Sequence, residues 1–153
     1  MVKIIHYTSS NNFESIRNKG FIELEGFNIE QNAISNPLGI LSYTGDTFEK
    51  AWKYLNKQYK ITGRYIWFTE ENNCSCISKL QSFEKVGLCF NSQDIGAEKW
   101  NDFSLKLMFK NNRAKKVIRN LNKNAILNGD DVSKWWVCQE RVDFKLGWEK
   151  KIF

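Results

Sequence analysis

The sequence predicts a single α+β domain over residues 1–153, with a split, mixed or antiparallel β core and flanking helices. Three observations predict it. Strand-like runs rich in aromatic and β-branched residues share the chain with longer stretches of helical spacing. No internal repeat, low-complexity tract or linker divides them. The chain of 153 residues is 42% hydrophobic and 14% aromatic, enough to build one real core and too apolar for disorder.

The elements follow in order. Val2 to Thr8 reads as a first strand, with Val2, Ile4, His6 and Thr8 on one face. Ser9 or Ser10 then caps a helix through Lys19, with Phe13 and Ile16 as its apolar stripe and Gly20 as a left-handed C-cap. Phe21 to Ser42 is broken by Gly, Asn and Pro37, and reads as a long irregular segment with one short strand. Asp46 to Gly63 is a second helix: Phe48, Ala51, Trp52, Leu55 and Tyr59 recur at helical spacing, and Asp46 with Glu49 makes a capping-box-like start. Arg64 to Thr69 is a clear strand stopped by Glu70-Glu71-Asn72-Asn73, with a short helix expected over Cys74 to Leu80. Lys85 to Phe90 and Ser104 to Phe109 read as two more strands with a turn of helix between them, Asp94 to Trp100. A third helix spans 113–127, lined by Ala114, Val117, Ile118 and Leu121 and charged by Arg113, Lys115, Lys116, Arg119 and Lys123. Gly129 ends it, Asp131 or Ser133 leads into Trp135 to Phe144, and Trp148 to Ile152 closes the chain as a strand.

Composition narrows the classes. No apolar run is long enough for a membrane helix, and Met1 to His6 lacks the features of a signal peptide, so a cytoplasmic protein is expected. The net charge of +6 suits an acidic partner such as nucleic acid, and equally a lysine-rich chain with no such partner. Cys74, Cys76, Cys89 and Cys138 do not follow the spacing of a zinc ribbon, and with one His no metal site is expected.

The stretch Trp135 to Phe144 carries the sharpest signal. Read as one strand, it puts Trp136, Cys138, Glu140, Val142 and Phe144 on one face. A carboxylate among apolar neighbours is costly unless it is paired or has a task. Either Glu140 pairs with a nearby cation, or the strand lies at an edge, or Glu140 works. Two further features bear on this choice. His6 ends the first strand in His6-Tyr7-Thr8-Ser9, just before a capped helix whose free N–H groups suit an anion or sugar. Ile66-Trp67-Phe68-Thr69 offers an aromatic platform, although each of these residues also has an ordinary core role.

In this order the features resemble the ADP-ribosyltransferase-like superfamily, and within it small bacterial and phage transferases and toxins that open with His-Tyr-Thr. The matching pieces are His6-Tyr7-Thr8-Ser9 through Gly20, Tyr65 to Thr69, Val86-Gly87-Leu88, and Trp135 through Val142, spanning nearly the whole chain. The resemblance implies an ADP-ribosyltransferase-like fold and NAD as substrate. It implies that His6 binds ribose hydroxyls, and that Thr8 or the backbone beside it at Tyr7 holds the nicotinamide end. It further implies that Trp67 or Phe68 packs on the nicotinamide, and that catalytic Glu140 stabilises oxocarbenium-like charge. The family's stacking tyrosine after the aromatic strand has no counterpart in Cys74-Ser75-Cys76-Ile77; Tyr43 and Tyr7 are the substitutes available. The expectation is an NAD-dependent transferase acting on a macromolecule, nucleic acid or protein. The alternative is a non-catalytic basic binding module acting through Arg113 to Lys123, as a phage-type inhibitor or nucleic-acid-binding protein.

Overall fold

The computed structural model describes residues 1–23, 65–73, 85–110, 112–127 and 129–152. Expectations for the irregular segment beyond Glu23, the helix at 46–63 and the Cys74–Leu80 helix lie outside these residues. Among the described residues the chain runs β1 (Lys3–Ser9), α1 (Ser10–Lys19), β2 (Phe21–Ile22), β3 (Ile66–Glu70), β4 (Lys85–Asn91), β5 (Glu98–Lys99), α2 (Trp100–Lys110), α3 (Asn112–Leu127), β6 (Trp135–Cys138), β7 (Val142–Asp143) and β8 (Trp148–Ile152). Short 3-10 turns at Val132–Lys134 and Phe144–Leu146 enter β6 and follow β7.

The main sheet has the order β5-β6-β3-β1-β4-β8, and β2 pairs with β7 in a second, two-stranded sheet. All of these pairings are antiparallel. The fold is therefore α+β with a mostly antiparallel core. β1 is central because its whole length pairs with β4, from Lys3↔Asn91 to Ser9↔Lys85, while its other edge meets β3 at Ile4↔Glu70 and Ile5↔Thr69.

Alternation splits the sheet into two faces. One carries Ile4, Ile66, Phe68, Leu88, Phe90, Trp136 and Cys138, packed with Phe13 of α1 and with Ile22 and Val142 of the small sheet. The other carries Trp67, which meets Trp100 of α2 at 4.8 Å and Trp135 at 5.8 Å between ring centroids, and Tyr65, which meets Phe103 at 5.1 Å. α3 packs on α2, and Asn122 Oδ1 accepts a 2.9 Å bond from Trp100 Nε1. Two cores thus share one sheet, with helices segregated to its faces.

Local chemistry explains the helix ends. Ser9 Oγ accepts from the Asn12 amide at 3.2 Å, and Gly20, at φ 85°, sends its N–H to the Ile16 carbonyl. A left-handed residue there is cheapest as glycine. Gly129, at φ 83°, does the same for α3 by donating to Ile126.

Two expected strands are corrected. Ser104 to Phe109 belongs to helix α2, because Trp100, Phe103, Ser104 and Leu107 fall on one buried helical stripe. A short apolar run is ambiguous between the two periods until its partners are known. The residues before it form turns and then β5, so helix starts at Trp100 and not at Asp94. The Trp135 to Phe144 strand stops at Cys138. Gln139 to Arg141 bend away so that Val142 can pair with Ile22 in the small sheet, and Phe144 N donates to Gly20 O at 3.0 Å.

Candidate functional site

β3 lies directly between β1 and β6, so segments more than 60 residues apart in sequence become neighbours. β3 and β6 pair as Ile66↔Cys138, Trp67↔Val137 and Phe68↔Trp136. His6, paired with Leu88 on its other side, stands beside Phe68 with the two rings edge to face at 5.8 Å. His6, Phe68 and Trp136 therefore form one row across three strands on one face.

The His6 ring is half-buried, and its Nδ1 lies 2.9 Å from the Trp67 carbonyl oxygen. A carbonyl only accepts, so Nδ1 carries the proton. In the neutral ring that leaves Nε2 as an acceptor, aligned by a backbone contact inside the sheet. Such a nitrogen can take a hydroxyl proton in a hydrogen bond, as a sugar would offer.

Thr8 shares the face of His6, is buried, and lies just before the Ser9 cap of α1. Tyr7 faces the other way by alternation. So does Trp67, which is packed among Tyr65, Trp100 and Trp135. The aromatic pair is thus divided: Phe68 stands with His6, and Trp67 serves the α2 core.

Glu140 departs most from its expected setting. It is exposed on the bend after β6, rather than sitting among apolar side chains. The reason is the strand ending two residues earlier, so alternation no longer sets its direction. Its backbone still lies against Cys138, whose thiol is pushed up by burial and further by the Glu140 charge, and is held down in part by Glu140 and Gln139 amides. Cys138 Sγ in turn contacts the Ile95 carbonyl at 2.9 Å. Glu140 lies two residues past the end of β6, and β3 separates β6 from β1.

Glu70, in the run expected to stop the strand, is instead the last residue of β3, opposite Ile4, and its Oε1 accepts a 2.9 Å bond from Trp136 Nε1. Alternation from Phe68 would have assigned it to the same face. Among the described residues no cluster of three His, Cys, Asp or Glu could hold a metal ion. Tyr43 and the Cys74–Ile77 stretch lie outside the described residues. No family model, no curated protein and no solved structure matches this chain.

Proposed function

We propose that this chain has an ADP-ribosyltransferase-like fold and is an NAD-dependent ADP-ribosyltransferase that modifies a macromolecular acceptor, nucleic acid or protein. The observation that carries the reading is the adjacency of β1, β3 and β6, which makes neighbours of the three strands bearing or leading to His6, Phe68 and Glu140. His6 Nε2 accepts from a ribose hydroxyl of NAD. Phe68 supplies an apolar wall, and Thr8 with the start of α1 meets the polar end of the substrate. Glu140 accepts from the 2′-hydroxyl of the nicotinamide ribose. The bond from C1′ to nicotinamide breaks with its electron pair leaving on nicotinamide. A nucleophile of the acceptor bonds to C1′ and gives up its proton to water or to Glu140. An exposed carboxylate is screened, so the bound substrate must displace water for Glu140 to act strongly on the developing charge.

The test is nicotinamide release and transfer of labelled ADP-ribose in a host lysate, comparing wild type with Glu140→Gln. Wild type should turn over, and the variant should lose roughly 10²–10³-fold, the scale for one preorganised electrostatic group. Glu140 is exposed, so the variant should melt with wild type to within about 0.5 kcal/mol. Absence of both release and transfer in wild type would refute the enzyme. An NAD-induced rise in melting temperature that vanishes in His6→Ala tests the binding half separately.

A further inference from the structure

The excess charge of this protein is concentrated on one helix. The whole chain carries 23 basic and 17 acidic residues, a net +6. α3 alone holds Arg113, Lys115, Lys116, Arg119 and Lys123 and no acid, so one helix carries five of those six charges. Lys115, Arg119 and Lys123 recur every fourth residue, each about 6 Å further along one stripe. Arg119 and Lys123 are exposed and Lys115 half-buried, and none of the three forms an ion pair among the described residues. Like charges at this spacing oppose the helix they sit on, so the stripe does not serve the stability of α3.

A second observation lies beside it. Phe109, in the last turn of α2, is 87% exposed and sits three residues before α3 begins. An open aromatic ring in the turn that precedes a helix with a cationic stripe supplies the two kinds of group used on single strands, where cations follow phosphates and rings stack bases. Of the apolar residues of α3, Ile118 and Ala125 are buried, whereas Ile126 and Leu127, past Lys123 at its end, are 58% and 74% exposed.

We propose that the α3 stripe and Phe109 bind single-stranded nucleic acid. The surface lies on the α2 side of the sheet, away from His6 and Phe68, and does not depend on the proposed transferase activity. At one phosphate per 3.4 Å of strand in duplex geometry, a stripe about 12 Å long faces roughly three phosphates.

The experiment is fluorescence anisotropy of the full chain with labelled 20-nucleotide oligo-U and oligo-dT, across a salt series. Binding should weaken with salt at a log–log slope of about −2, from three cations at about −0.7 each. Lys115→Gln/Arg119→Gln/Lys123→Gln should flatten that slope to near zero and weaken binding at least tenfold at low salt. Phe109→Ala should weaken binding roughly 5- to 150-fold, the factor for one stacked base, and leave the slope unchanged. Circular dichroism melts check that both variants fold. No binding to either oligonucleotide, binding untouched by the triple variant, or equal affinity for polyglutamate or anionic vesicles overturns the proposal. Tighter binding to duplex than to single strands, with Phe109→Ala silent, overturns it as well.

Discussion

Gly147→Ala should destabilise the protein by a purely steric route, and the geometry sets the size of the effect. Gly147 precedes β8 at φ −127° and ψ −176°, extended backbone that any residue adopts, so no conformational penalty enters. A Cβ built there would lie 2.4 Å from Phe90 Cε1, 2.7 Å from Phe90 Cζ and 2.8 Å from the Cys89 carbonyl oxygen. Carbon pairs settle at about 3.5–4.0 Å, so something must move by about 1 Å. Phe90 is fully buried with its ring edge to face against Phe68, and Cys89 O belongs to the β4 backbone between β1 and β8. Neither retreats easily. Overpacking of this kind costs about 1–3 kcal/mol, and with a main-chain obstacle the upper half applies. For a chain of this length that is a fall in Tm of roughly 4–12 °C. Calorimetry or near-ultraviolet circular dichroism of the Trp signal reads it. Phe90→Leu alone should cost on the order of 1–2 kcal/mol through the cavity it leaves. Combined with Gly147→Ala, the loss should fall short of the sum by about 1 kcal/mol, because the ring is no longer in the way. A single variant melting within about 1 °C of wild type would refute the close approach. A strictly additive double variant would refute the ring as the obstacle.

Three further outcomes are expected. Gly20→Ala meets no atom within 4 Å but must hold φ 85°, so it should cost about 1–2 kcal/mol, with Gly20→Asn milder, by urea unfolding. Glu70→Ala strands the Nε1 of buried Trp136 and should cost about 1–3 kcal/mol with a shift in Trp fluorescence, whereas Glu70→Gln should retain much of the bond. Burial pushes the Cys89 and Cys138 thiols up, so the folded state keeps their protons longer than the unfolded chain does. That stability is intact below the unfolded value of about 8.5 and is lost as pH rises through the higher folded values; Tm should fall as pH rises past that unfolded value, and fall less in Cys138→Ala.

Local chemistry determined much of this protein before any tertiary contact was known. The first strand, a serine cap at Ser9 or Ser10, the apolar Phe13, the Gly20 stop, the aromatic strand through Phe68, the α3 helix and the final strand all follow from short-range rules of alternation, capping and period, and the structure places the strand end and the cap at Ser9. The same rules place His6 and Phe68 on strands, and their ring contact arises because both sit on the same face of adjacent strands. Tertiary structure decided what those rules cannot reach. Whether Ser104 to Phe109 is strand or helix depended on which neighbour covers Phe103 and Leu107. Trp67 went to the α2 core because Trp100 and Trp135 surround it there. The exposure of Glu140 was decided by a pairing made elsewhere: Val142 belongs to β2, and the bend that carries it there turns Glu140 into solvent. Alternation is a property of one strand, whereas the point at which a strand ends belongs to the partners that claim the residues beyond it.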